Sequence, residues 1–234
     1  MYSLNYKVTT STCDANGNLK LYSALQMMQD CSEMWIDSEP ACKQFLQEHA
    51  IAQLLASRQV EIVRVPHFKE DLTVTTSIFE VKPMFGFRNT FIYDAQGKIC
   101  YKSWSMGAFV HRKTGRLTRI DQEVLSQCLI EARLPMDYQD RRIIVPEGET
   151  MRFPAVTVMK NDIDYNRHMN NANYIRIAEE LLPDEYKFKN MRVEFKMPSK
   201  LGQQLLPEMV MEGSSIYVTL RIGDEVSTIL EFKE

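Results

Sequence analysis

A six-residue pattern occurs twice in this chain, 150 positions apart. Asp14-Ala15-Asn16-Gly17-Asn18-Leu19 and Asp164-Tyr165-Asn166-Arg167-His168-Met169 share the spacing Asp-x-Asn and close on an apolar residue. Each follows a β-prone run, Tyr6–Thr10 in the first and Ala155–Val158 in the second, and each precedes an amphipathic stretch. A weaker echo comes later: Val60-Glu61-Ile62 leads to Pro66, and Val193-Glu194-Phe195 leads to Pro198. Internal duplication restricts architecture more than composition does. Two copies are too few for a solenoid, so two similar domains are expected. The copies differ where the first has Asn18 and the second His168. The second copy is expected to carry chemistry and the first to act as its scaffold.

In an extended chain, side chains two apart share a face. Asp164, Asn166 and His168 are therefore expected on one side, just ahead of a helix. A carboxylate, a carboxamide and an imidazole in that place are suitable parts for hydrolysing an acyl bond. A helix starting near Asn171, capped by Asn170 or Asn171, also offers backbone N–H groups to a carbonyl oxygen. The bland alternative is a capping turn, in which Asp and Asn bond nearby backbone groups. That reading suits Asp14, Asn16 and Asn18 and stays open for the second copy. His49, His67 and His111 are isolated and read as surface or packing residues.

The order of elements is strand, helix and antiparallel meander, stated twice. The first copy predicts a strand over 4–12, helices over 19–34 and 41–49, and strands over 53–65, 72–79, 87–93 and 98–109. Asp94-Ala95-Gln96-Gly97 marks a hairpin. A short helix over 122–132 precedes a stretch with Pro135, Pro146 and Gly148. The second copy predicts a strand over 155–160, a helix over 171–182 stopped by Pro183, and four strands between 191 and 232. The class is α+β. The expected division is a first domain over 1–135, a linker over 136–150 and a second domain over 151–234.

Of the 234 residues, 44% are hydrophobic and 25% charged, ordinary for a globular protein. A net charge of -3 argues against general nucleic-acid binding. No apolar run is long enough to span a membrane, and the N-terminus lacks the pattern of a signal peptide. Five cysteines without a Cys-x-x-Cys pair read as reduced, buried residues of a cytoplasmic protein, not as a metal site. Met28 and Trp35, with Met27, Met34 and Phe45, are core residues or the lining of an apolar tunnel. The most basic stretch, His111 to Arg119, is a solvated hairpin or a docking patch.

The segment Asp164, Asn166, His168, Asn170, Asn171, Tyr174, Ile175 resembles the Asp-x-Asn-x-His-Val-Asn-Asn-x-Lys-Tyr-Ile signature of the acyl-acyl-carrier-protein thioesterases of plastids and bacteria. Met169 and Asn173 replace the usual Val and Lys. The resemblance implies two tandem hotdog domains, each a curved antiparallel sheet wrapped around a helix. It implies hydrolysis of fatty acyl thioesters on an acyl carrier protein, with Asp164, Asn166 and His168 catalytic and no metal or organic cofactor. Asn171, Met28, Trp35 and Ser199 are candidate substrate-binding residues. The family's Glu-Cys pair is replaced by Pro198 and Ser199, which puts a cysteine nucleophile in doubt. Coenzyme A thioesters, or acyl binding without hydrolysis, remain alternatives, as do a monomer and a homodimer.

Overall fold

Leu21, Ala24, Leu25, Met28 and Cys31 recur at helical spacing, and in the computed structural model all five are buried on one face of a helix. The structure describes residues 1–234, the side chains of residues 122 and 127 excepted. The chain forms two units: Met1–Ala56 with Ile62–Tyr138, and Ser57–Glu61 with Gln139–Glu234.

The first unit contains β1 (Tyr2–Lys7), α1 (Leu21–Met34), a 3-10 turn (Trp35–Ser38), α2 (Pro40–Glu48), β2 (Ile51–Ile62, apart from its Ser57–Glu61 stretch), β3 (Asp71–Lys82), β4 (Phe85–Asp94), β5 (Ile99–His111) and α3 (Gln122–Gln127). Antiparallel neighbours run β1-β3-β4-β5. Leu72, Val74, Thr76 and Ile78 alternate along β3 and are all buried. α1 lies on β3, where the Cys31 thiol donates to the Val74 carbonyl at 3.4 Å. Each fully buried aliphatic side chain contributes about 1.5–3 kcal/mol. α2, the helical excess of the first repeat, packs on α3; Phe45 and Leu46 cover a cluster of Ile51, Phe109, Ile120 and Leu125. α3 stops at Gln127, short of the expected residue 132. Beyond it the buried Asn89 holds the chain: its carboxamide oxygen accepts from Leu134 N (3.0 Å) and the Tyr138 hydroxyl (2.9 Å).

The second unit contains β6 (Met151–Arg152), β7 (Val156–Thr157), a 3-10 turn (Lys160–Asp162), α4 (Asn171–Glu179), β8 (Asn190–Phe195), β9 (Gln204–Glu212), β10 (Ser215–Ile222) and β11 (Glu225–Lys233). Neighbours run β8-β11-β10-β9-β6, with β7 also on β9. Residues Ser57–Glu61 of β2 pair antiparallel with β8, Ser57 opposite Glu194 and Glu61 opposite Asn190. The strand expected over 155–160 shrinks to Val156–Thr157, because the chain turns into 3-10 geometry at Lys160. α4 packs on β11. All five cysteines are free thiols. No described helix is long and apolar enough to cross a membrane.

The duplication holds at the level of single hydrogen bonds. Val8 N–H donates to Glu70 O and Lys69 N–H to Val8 O, both at 2.9 Å; Val158 N–H donates to Gln203 O and Gly202 N–H to Val158 O, also at 2.9 Å. Lys69 and Gly202 both take left-handed φ, 74° and 81°. Leu19 N–H donates to Pro66 O at 2.8 Å, and Met169 N–H to Ser199 O at 2.9 Å. This last pair corrects the sequence echo. The counterpart of Pro66 is Ser199, one residue past Pro198, which also keeps Val60 in step with Val193.

The Asp14 segment is a closed turn. Asp14 N–H donates to Asn18 O (2.8 Å), Gly17 N–H to Asp14 O (3.1 Å), and the carboxylate accepts from Asn16 N and Asn18 N, both at 2.8 Å. The hairpin joining β4 to β5 repeats it: Asp94 N–H donates to Lys98 O, Gly97 N–H to Asp94 O, and the carboxylate accepts from Gln96 N and Lys98 N, all at 2.9 Å. Gly17 and Gly97 sit at φ 80° and 75°. A Cβ on Gly97 meets nothing within 4 Å, whereas one on Gly17 meets His67 Nε2 at 2.7 Å. Gly97→Ala is therefore predicted to cost only the left-handed backbone term, about 1–2 kcal/mol. Gly17→Ala should cost clearly more, because His67 must also move; urea unfolding midpoints measure both.

Glu179 lies one turn after the buried Ile175 on α4 and is mostly removed from solvent. Burial pushes its carboxyl up to about 7 from an ordinary 4.5, with Glu180 adding repulsion. The folded state thus holds this proton more tightly than the unfolded chain. Its contribution is complete below about pH 4.5, falls as pH rises and is lost above about pH 7. Glu179→Gln is predicted to raise stability at pH 8, by at most roughly 3 kcal/mol, and to change it little at pH 4; thermal unfolding across pH measures the difference.

Candidate active site

The Asp164 segment is the third turn of this type, and the extended arrangement expected from sequence is replaced by it. Asp164 N–H donates to His168 O (2.9 Å) and Arg167 N–H to Asp164 O (3.0 Å), while Ile163 and Met169 form an antiparallel bridge. The carboxylate accepts from Asn166 N at 2.8 Å. Asp164 and Asn166 therefore make the local bonds of the capping-turn alternative, as Asp14 and Asp94 do. Backbone closure, rather than strand alternation, brings Asp164 and His168 to the two ends of one turn.

Two departures set this turn apart. Arg167 takes the left-handed place, φ 64°, where the other turns have glycine; a non-glycine residue there carries about 1–2 kcal/mol of strain. The Asp164 carboxylate accepts one backbone N–H where Asp14 and Asp94 each accept two. Among the described residues no hydrogen bond engages the side chains of Asn166 or His168, and none joins them to Asp164. Asp164, Asn166 and His168 are all half-buried, while Tyr165 between them is exposed.

The two repeats differ in what lies against the turn, with Asp14 and Asn16 exposed and Asp164 and Asn166 half-buried. His67 Nε2 lies 3.0 Å from Asn16 O, and Phe68 N–H donates to Gly17 O at 2.8 Å, so that strand loop lies over the Asp14 turn. Lys200 stands in the place of His67; its N–H donates to Gln203 Oε1 at 2.7 Å just as that of His67 donates to Glu70 Oε1 at 2.6 Å, but among the described residues its side chain makes no bond to the turn. Arg167, with a side chain where Gly17 has none, leaves no room for such a cover.

α4 begins beside the turn. Asn170 is the N-cap: its side chain accepts from Ala172 N at 2.9 Å, and its carbonyl from Asn173 N at 3.0 Å. Such a cap is worth about 1 kcal/mol. Among the described residues the Asn171 N–H makes no hydrogen bond, so it is a free donor at the positive end of α4.

The four substrate-binding candidates fall in different places. Asn171 is the first residue of α4 and half-buried. Ser199 is fully buried below the turn; its N–H donates to the Tyr174 hydroxyl (2.7 Å) and its hydroxyl lies 3.1 Å from that of Ser227. Because Ser227 donates to Met197 O at 2.7 Å, the Ser199 hydroxyl donates to Ser227. Met28 and Trp35 belong to the first unit, Met28 wholly buried on α1 and Trp35 beneath the Arg88 guanidinium at 4.7 Å. Arg88 is itself buried and donates to Ser32 O and Thr76 Oγ1.

Sequence reasoning placed Tyr174 in the matched signature without giving it a role, and did not single out Glu179 or Arg88. Helical phase shows Glu179, since positions 175, 178 and 179 share a face; the exposed Glu180 does not. Burial and Asp164's negative charge both push the Tyr174 phenol up. Among the described residues no three His, Cys, Asp or Glu side chains are grouped to hold a metal ion.

Comparison with known proteins places this geometry. The profile of the acyl-ACP thioesterase N-terminal domain matches residues 1–128, and that of the C-terminal domain residues 147–227. A chloroplastic acyl-[acyl-carrier-protein] hydrolase, FATB3, of Cuphea viscosissima is 29% identical over 138 residues, 56% of this chain and 33% of that protein. A chloroplastic palmitoyl-acyl carrier protein thioesterase of Cuphea hookeriana is 26% identical over the same length. The matched region spans about a third of these curated relatives. An acyl-ACP thioesterase from Bacteroides thetaiotaomicron superposes with a TM-score of 0.88 at 19% identity, covering 99% of this chain and 96% of that one. A 12:0-ACP thioesterase from Umbellularia californica gives 0.86 at 16% identity, with the same coverage. These two likenesses show the fold, α+β with tandem hotdog units. With both domain profiles matched in order along it, the chain belongs to the acyl-ACP thioesterase family.

Proposed function

We propose that this protein hydrolyses fatty acyl thioesters carried on an acyl carrier protein, releasing free fatty acid for lipid metabolism. In this reading residues 151–234 form the catalytic domain, residues 1–135 hold the acyl chain, and 136–150 join them. Family membership supports the reading. The observation that carries it is the contrast among the three Asp-led turns. Of the three, only the turn at Asp164 bears a histidine and keeps a carboxylate oxygen without a hydrogen bond among the described residues; the Asn166 carboxamide and the Asn171 N–H beside it are also without partners there.

The chemistry follows from these groups. A water oxygen attacks the thioester carbonyl while His168 takes its proton, with Asp164 orienting the water or sharing the proton. The carbonyl oxygen gains negative charge and is met by the Asn171 N–H and the Asn166 carboxamide. Collapse breaks the carbon–sulfur bond, and the thiolate leaves with the proton held by His168. None of these roles draws on a metal or an organic cofactor. Five free thiols suit the reducing cytoplasm. The exposed residues Arg112, Lys113, Arg116 and Arg119 offer positive charge to an acidic carrier.

One observation favours a second reading, acyl binding without hydrolysis. Ser199, at the place of the family's cysteine, is sealed in its own hydrogen bonds. The test is thiol release from carrier-bound and coenzyme-A-bound acyl chains of several lengths. Release is expected, faster from the carrier, and Asp164→Ala and His168→Ala are each expected to lower it by about 10²–10⁴-fold. Tight acyl binding with no thiol released contradicts hydrolysis. A coenzyme A preference contradicts the carrier.

A further inference from the structure

Resting on the reading of the Asp164 turn as the reacting site, we infer that Tyr174 and the Ser199 peptide form a clamp that positions His168. The Met169 N–H, on the residue next to His168, donates to Ser199 O at 2.9 Å. The N–H of the same Ser199 donates to the Tyr174 hydroxyl at 2.7 Å. Tyr174 is 2% exposed, and its ring is set edge-on against Phe195 at 5.6 Å. One buried residue thus ties the end of the turn to the body of α4. The His168 carbonyl is held from the other side by Asp164 N–H.

The first repeat serves as an internal control. It keeps the turn bond, Leu19 N–H to Pro66 O, but Pro66 has no N–H to give, and Ala24 stands where α4 has Tyr174. There the turn is held from outside by His67 and Phe68. The second repeat holds its turn through the buried Ser199 peptide and Tyr174 hydroxyl, and among the described residues no side chain is hydrogen-bonded to His168. A reacting group needs a fixed direction without a covering side chain, since a misplacement of about 1 Å can cost 10²-fold in rate. Tyr174 and Ser199 are positioning residues in this account.

The experiment compares Tyr174→Phe, Ser199→Pro, which copies Pro66, and their double variant. Tyr186→Phe is the control: its hydroxyl also bonds backbone, Ser214 O and Phe232 O at 2.8 Å, but away from the turn. The clamp predicts about a tenfold lower kcat for Tyr174→Phe and for Ser199→Pro, with KM within about twofold. The double variant should be no worse than either, because both remove one bond. Tyr174→Phe should also shift the His168 imidazole NMR resonances, and Tyr186→Phe should leave kcat and those resonances in place. A folded Tyr174→Phe protein with unchanged kcat overturns the clamp, as does an equal effect from Tyr186→Phe. A wild-type protein that releases no thiol contradicts the proposed function instead; the clamp is then decided by the His168 resonances alone.

Discussion

The bond from Met169 N–H to Ser199 O fixes the end of the Asp164 turn, the proposed reacting site, in the second repeat. It pins the end of a tight turn to the loop after β8, so the turn moves with the sheet. The same bond, Leu19 to Pro66, exists in the first repeat, which means it belongs to the duplicated fold and was not made for a site. The copies differ in what surrounds that bond. One sets His67 against Asn16 and Gly17; the other has Lys200 in that place and His168 at the end of its turn.

An Asp-led turn is a local solution to a backbone problem, and this chain uses it three times. In two cases the carboxylate is spent on two backbone N–H groups and glycine takes the left-handed position. In the third the turn is less well satisfied: Arg167 carries the strain, and Asp164 gives up one backbone donor. Local strain of this kind is kept where surrounding structure holds it in place. α4, capped by Asn170, and the buried Ser199 supply that support.

Much of this was legible in the sequence. The repeat, the helices and the meander followed from periodicity and turn residues, because burial of one face leaves a period of 3.6 or 2. The place of Asp164 and His168 was legible from the repeat, but their arrangement was not. Alternation predicted a shared strand face, whereas closure of the turn by backbone hydrogen bonds decides the geometry, and the positive φ at Arg167 has no sequence signature. Ser199 stood as a candidate for binding substrate; only the fold shows Tyr174 reaching it across 25 residues of chain. Glu179 was legible from helical phase, four residues after the apolar Ile175.

Two uses of one turn make the central claim open to a single substitution. His168→Asn copies Asn18 of the first repeat and leaves the backbone pattern free to form. Thiol release from an acyl carrier substrate is the measurement. The account predicts a folded protein whose rate falls by at least about 10²-fold. A folded His168→Asn protein that turns over at the wild-type rate would contradict it.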